Sequence, residues 1–210
     1  MQSTTTMQLT TSKTRLPQLS NEQWAVAIRN RYGSTQDLFR AMSVDREVAY
    51  HLNLPQAIAS DTPTLVRLTK SYGNDVTTAL LEVHITSAII SMGEENDAEP
   101  SDVKMIAQAI LQNDNIKRLN MASVLSFFAR LKCGEFKIYG KITPRKIMEV
   151  MNEYAEVAIE REERIVRDLE KLRADQEWQK HQASAISFDD YKKAKGYGED
   201  IENPLDLITK

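Results

Sequence analysis

Apolar residues fall in short runs separated by Ser, Thr, Asn, Gly and Pro, and nearly every run has helical spacing. In Leu19-Ser20-Asn21-Glu22-Gln23-Trp24, Ser20 is placed to cap a helix, Gln23 to close a capping box and Leu19 to staple Trp24. Gly33 ends that helix. Short helices are expected over about 34–42 and 44–52, with Pro55 as an interruption. Thr62 and Pro63 then open a helix to Tyr72, with Gly73 as its left-handed cap.

From Val76 to Met92 the apolar positions occupy most of the helical circumference, which predicts the central helix of the fold. The acidic loop Gly93 to Pro100 leads to a surface helix carrying Val103, Ile106, Ala107, Ile110 and Leu111. Asn120 caps the next helix, where Met121, Val124, Leu125, Phe128 and Leu131 form one stripe that ends at Cys133 and Gly134. Residues 135–142 read as an extended turn.

Thr143 and Pro144 begin the longest element, with Ile142 and Ile147 stapling its start and no further Gly or Pro before Gly196. It is expected to reach about residue 182. A helix of roughly 36 residues is about 55 Å long, more than the diameter of a domain this size, so its distal half is expected to project. The pattern as a whole predicts an all-α protein, a compact helical bundle with a long C-terminal helix projecting as an arm. Its expected divisions are a disordered lead over 1–17, a bundle over 18–160, a charged helix over 161–183 and a flexible tail over 184–210.

Composition narrows the setting. The 210 residues carry 27 Lys and Arg against 30 Asp and Glu, a net charge of −3, so no whole-protein field draws the chain to nucleic acid or an anionic membrane. Cys133 is the one cysteine and has no intramolecular disulfide partner, which suits a reducing compartment and makes the cytoplasm the expected location. The Thr- and Ser-rich N-terminus lacks the apolar core of a secretory signal. The longest uncharged apolar run, Val83 to Met92, is about half of the roughly 20 residues that span a bilayer, so no membrane partner is expected.

Candidate chemistry is sparse. His51, His84 and His181 lack the paired spacing of metal ligands, and His84 in an apolar helix reads as a hydrogen-bonded buried imidazole. Cys133 has Arg130 and Lys132 nearby but no adjacent His, and reads as an inert thiol. Glu156, Glu160 and Glu163 alternate with Arg161, Arg164 and Arg167, the pattern of a solvated face. No Walker lysine loop, dinucleotide fingerprint or nucleophile elbow is present. The expectation is no enzyme, no cofactor and no metal.

The richest segment runs from Arg130 to Lys146, with six basic residues and one acidic, a local charge of +5. Arg130, Lys132, Lys137, Lys141, Arg145 and Lys146 are candidate phosphate contacts, and Tyr139 is a candidate platform for an unpaired base. The other reading is a solvated basic turn whose Phe136, Ile138 and Tyr139 plug the core. Beyond Arg161 the apolar positions thin to Ile165, Leu169 and Leu172, with Trp178 further on, a stripe suited to a partner helix.

Phe127-Phe128 with Arg130, Lys132 and Gly134, then Tyr139-Gly140, Ile147, Tyr154-Ala155-Glu156 and Glu160-Arg161, resembles a family of small helical proteins from Bacteroides-type bacteria, their phages and mobile elements. The likeness covers about residues 62–161. It implies a helical bundle with this turn before its last helix, similar in outline to phage replication accessory and helicase-loader proteins, and it implies no catalytic residues. The leading expectation is a non-enzymatic adaptor that engages a replication or DNA-processing protein through its C-terminal arm, with single-stranded DNA touched at the corner. The alternative is a phage structural or assembly protein that forms a homo-oligomer through residues 160–182.

Overall fold

Helix boundaries follow the caps. In the computed structural model, which describes residues 20–60, 62–93, 99–138, 142–184 and 190, Ser20 accepts from the Gln23 amide at 3.3 Å while Gln23 Oε1 accepts from the Ser20 amide at 2.7 Å. That box starts α1 (Asn21–Tyr32), and a second box between Ser34 and Asp37 starts α2 (Thr35–Ala41). A 3₁₀ turn (Val44–Arg46) leads into α3 (Glu47–Leu52). Pro55 does not interrupt the helical course here. It occupies the first turn of α4 (Leu54–Ala59), where a missing N–H costs no intrahelical bond.

Thr64 caps α5 (Leu65–Tyr72), and α6 (Asn74–Ser91) follows after one residue. Gly73 permits that abrupt restart because its φ of 93° is a conformation side-chain-bearing residues rarely adopt. After α7 (Pro100–Gln112) and a 3₁₀ turn (Ile116–Arg118), Asn120 accepts from the Ala122 amide at 2.9 Å and starts α8 (Met121–Lys132). The last helix is α9 (Pro144–Ser184), 41 residues long. The architecture is all-α, with no strand among the described residues. The chain divides into two compact units, one ending at Glu162 and the other beginning at Glu163.

The expected central helix is not the most enclosed one. Helix α6 leaves Val83 and Ile90 exposed at 44% and 67%, whereas ten of the twelve residues of α8 are buried. Its second face is lined by Ala122, Ser123, Ser126 and Ala129, small enough for neighbours to approach closely, so α3, α4 and α6 all pack on α8. A periodicity that counts only large apolar residues sees one stripe and misses that face. The start of α8 is further tied to the start of α5, through Leu65 N–H to Leu119 O at 3.1 Å and Met121 N–H to Pro63 O at 2.8 Å.

One carboxylate sits at the centre of this packing. Glu47, at the start of α3, is 2% exposed. Its Oε1 lies 2.5 Å from His84 Nδ1 of α6, and its Oε2 lies 2.8 Å from Lys132 Nζ of α8. His84 Nε2 donates to the Met42 carbonyl at 2.9 Å, since a carbonyl only accepts, and Lys132 Nζ also donates to Ser87 Oγ at 2.6 Å. The imidazole stacks on Phe128 at 5.7 Å between centroids. The buried imidazole expected at His84 is therefore present, with a carboxylate partner.

Removing one member of a buried ion pair strands the other and typically costs about 3–5 kcal/mol. Glu47→Ala is expected to lower unfolding free energy by about that amount, measured by urea titration. Lys132→Met together with Glu47→Gln is expected to lose markedly less than the sum of the two single changes, because the double change removes both charges of the pair and strands neither.

Candidate functional site

The basic corner begins where α8 ends. Gly134 has φ 71°, the left-handed conformation that lets the chain leave the helix at once, and Phe136 and Ile138 turn inward against the core. The Phe136 ring lies 5.2 Å from Phe127 and 6.1 Å from Tyr154. Of the two readings of these apolar side chains, a plug in the core describes Phe136 and Ile138. Tyr139 and Lys141 lie outside the described residues.

The cations divide by their partners. Lys132 was grouped with the phosphate contacts by sequence, but its ammonium is held inward between Glu47 and Ser87, and its side chain is only 17% exposed. The attraction of a buried carboxylate at 2.8 Å outweighs solvation at the rim, so its charge is spent inside the fold. Arg130 donates to Glu135 at 2.6 Å, with its guanidinium 5.1 Å from the Phe136 ring centroid and 5.6 Å from that of Tyr154. Arg145 pairs with Glu149 at 2.8 Å across one turn of α9. Lys137 is exposed and Lys146 is half-buried. The local charge of +5 therefore overstates what the corner offers to a ligand.

Tyr154 organises the side of the corner facing α9. Its hydroxyl donates to the Ser123 carbonyl at 2.9 Å and accepts from Arg161 at 2.7 Å. Guanidinium groups of Arg130 and Arg161 both lie over its ring, at 5.6 and 5.5 Å. About two turns beyond Tyr154, the Glu162 carboxylate accepts from the Asn120 amide at 3.1 and 3.2 Å, acting as a second cap on α8. Burial is the main influence on Glu162 and raises its pKa from the ordinary 4.5, while the Asn120 amide and Arg161 oppose the rise. None of this was legible from spacing, because the face holding Glu162 reads as solvated.

The unit beginning at Glu163 presents the expected stripe. Ile165 and Leu169 are half-buried, Leu172 is 57% exposed and Trp178 65% exposed. Its charged residues pair within the helix, Arg167 with Glu163 at 3.5 Å and Lys171 with Asp168 at 3.9 Å. Among the described residues no three His, Cys, Asp or Glu side chains converge, and no helix is long and apolar enough to cross a membrane. His51 is engaged by Ser126 Oγ at 2.9 Å. A surface groove of about 590 Å³ beside α6 is lined mainly by Phe39, Val44, Val83 and Ile90, with Glu82 as its one ionisable residue.

A carboxyl whose folded pKa is raised favours the folded state when protonated, so the contribution of Glu162 is present below pH 4.5 and is lost as pH rises through the higher folded value. Glu162→Gln keeps an acceptor for Asn120 and removes the titration. The melting temperature of the variant relative to the parent is expected to rise as pH increases above about 4.5, followed by thermal denaturation at several pH values. No family model, curated protein or solved structure matches this chain.

Proposed function

We propose that this chain is a non-enzymatic adaptor of a phage or mobile element, engaging a replication or DNA-processing protein through the helix that follows Glu162. The observation that carries this reading is the apolar stripe of Ile165, Leu169 and Leu172, with Val166 beside it and Trp178 exposed on the opposite face, in a helix rich in charge. Such a stripe is what an amphipathic helix lays against a partner. Residues 62–161 resemble a family of small helical proteins from Bacteroides-type bacteria and their phages, similar in outline to replication accessory proteins, and replication is the process that likeness favours. The apolar lining of the α6 groove supports a surface that binds other chains.

Nucleic-acid contact at the corner is the secondary part of this reading, carried by Lys137 and the Arg130 edge in place of the full set of cations. With Lys132 held by Glu47, fewer phosphates are neutralised than the six cations suggest; Arg145, 86% exposed beside Glu149, stays within reach of one. For about two to four phosphates on a single strand, the slope of log affinity against log salt is expected to be about −1.5 to −3.

The test is binding of the full-length chain to the purified replicative helicase of its native host, followed by fluorescence anisotropy. Leu169→Glu and Trp178→Ala are each expected to weaken binding by about tenfold or more without lowering the melting temperature of the bundle. No binding by the parent chain, or binding unchanged by both substitutions, would overturn the assignment. On an oligonucleotide, Lys137→Ala is expected to reduce affinity by about threefold to tenfold, and Lys132→Met to change stability and not the salt slope.

A further inference from the structure

The stripe also carries the charge pattern of a coiled-coil seam. With Ile165 and Leu172 at d positions of a heptad and Leu169 at a, the following a and d positions are Gln176 and Gln179. The same frame puts Asp168 and Asp175 at g, and Arg173 and Lys180 at e. No other frame places Ile165, Leu169 and Leu172 together on the seam, because their spacings are four and then three; Val166 falls at e beside the seam and Trp178 at c on the outer face.

In parallel, in-register helices each g residue faces the e residue of the following heptad on the neighbour. Asp168 would then face Arg173 of a second copy, and Asp175 would face Lys180. An antiparallel arrangement sets g against g and e against e, so Asp would meet Asp and Arg would meet Lys. Arg173, Asp175 and Lys180 are exposed, and Asp168 makes only a 3.9 Å contact with Lys171 of the same helix, at side-chain exposures of 62% and 78%. An exposed pair of that kind is worth little and gives way readily to an alternative partner.

We infer that the helix following Glu162 binds a second copy of this chain, parallel and in register, through Ile165, Leu169 and Leu172 with Asp168–Arg173 and Asp175–Lys180 pairs between copies. The inference rests on the reading of this helix as a docking surface: it sets the second copy on the face of Ile165, Leu169 and Leu172 and leaves Trp178, at position c on the outer face, for the replication protein. Ile165 at d with Leu169 at a also suits more than two strands, so the charges fix orientation and register while the number of strands is read by experiment.

The full-length chain is expected to self-associate in sedimentation over roughly 1 to 300 μM. Asp168→Lys with Asp175→Lys, and separately Arg173→Glu with Lys180→Glu, are each expected to weaken association by about tenfold or more, and an equimolar mixture of the two variants to restore it. Gln179→Cys in a Cys133→Ser background tests orientation, since parallel strands bring the two thiols together for oxidation and antiparallel strands hold them apart. A chain that stays monomeric, a mixture that does not restore association, or thiols that do not couple would overturn the inference. A monomer that still binds helicase in a manner sensitive to Leu169→Glu defeats the inference and leaves the docking reading standing. A monomer that binds no helicase defeats both.

Discussion

The bundle is organised around the neutralisation of one buried negative charge. Glu47 has no solvent to stabilise it, so its two oxygens must find cationic or proton-bearing partners on the helices that enclose it. His84 and Lys132 supply them from α6 and α8, and Met42 O completes the imidazole. A sliding register of any of these helices would leave a charge stranded, which opposes alternative packings more strongly than apolar contacts alone. Phe128 stacks against the imidazole and passes the constraint along the aromatic row of Phe127, Phe136 and Tyr154. The corner after α8 is in this way anchored from beneath.

That arrangement explains why a segment rich in Lys and Arg offers less charge than its composition suggests. Cations at the end of α8 and along α9 serve the fold first: Lys132 for Glu47, Arg130 for Glu135 and Tyr154, and Arg161 for Tyr154. Leu172 and Trp178 gain nothing from solvent, and side chains of that size on a charged helix are the natural place for association.

Local signals in the chain marked most helix boundaries, though the helix expected to open at Thr62 and Pro63 is capped two residues later by Thr64, and they were insufficient for tertiary pairing. Ser20, Ser34, Asn120 and Gly73 act within a few residues of their own position, so their capping roles could be read from neighbours alone. Helix α4 was missed because Pro55 signals both a break and a first turn, and only the bonds of the residues after it decide between them. The enclosure of α8 was hidden because Ala and Ser contribute little to apolar periodicity while permitting the closest packing. Glu47 gave no signal at all, since a carboxylate in the first turn of a short helix is ordinarily a dipole partner in solvent. His84 announced that it needed partners, and distance in sequence concealed which ones.

The central proposal is that association belongs to the helix after Glu162, while the charge buried in the bundle is met by the bundle's own helices. Hydrogen exchange of the full-length chain at increasing protein concentration addresses it directly. The account predicts that amides of residues 163–182 exchange more slowly as concentration rises while those of α3, α6 and α8 keep their rates. Protection that grows instead across the bundle or the corner, with 163–182 unchanged, would contradict it.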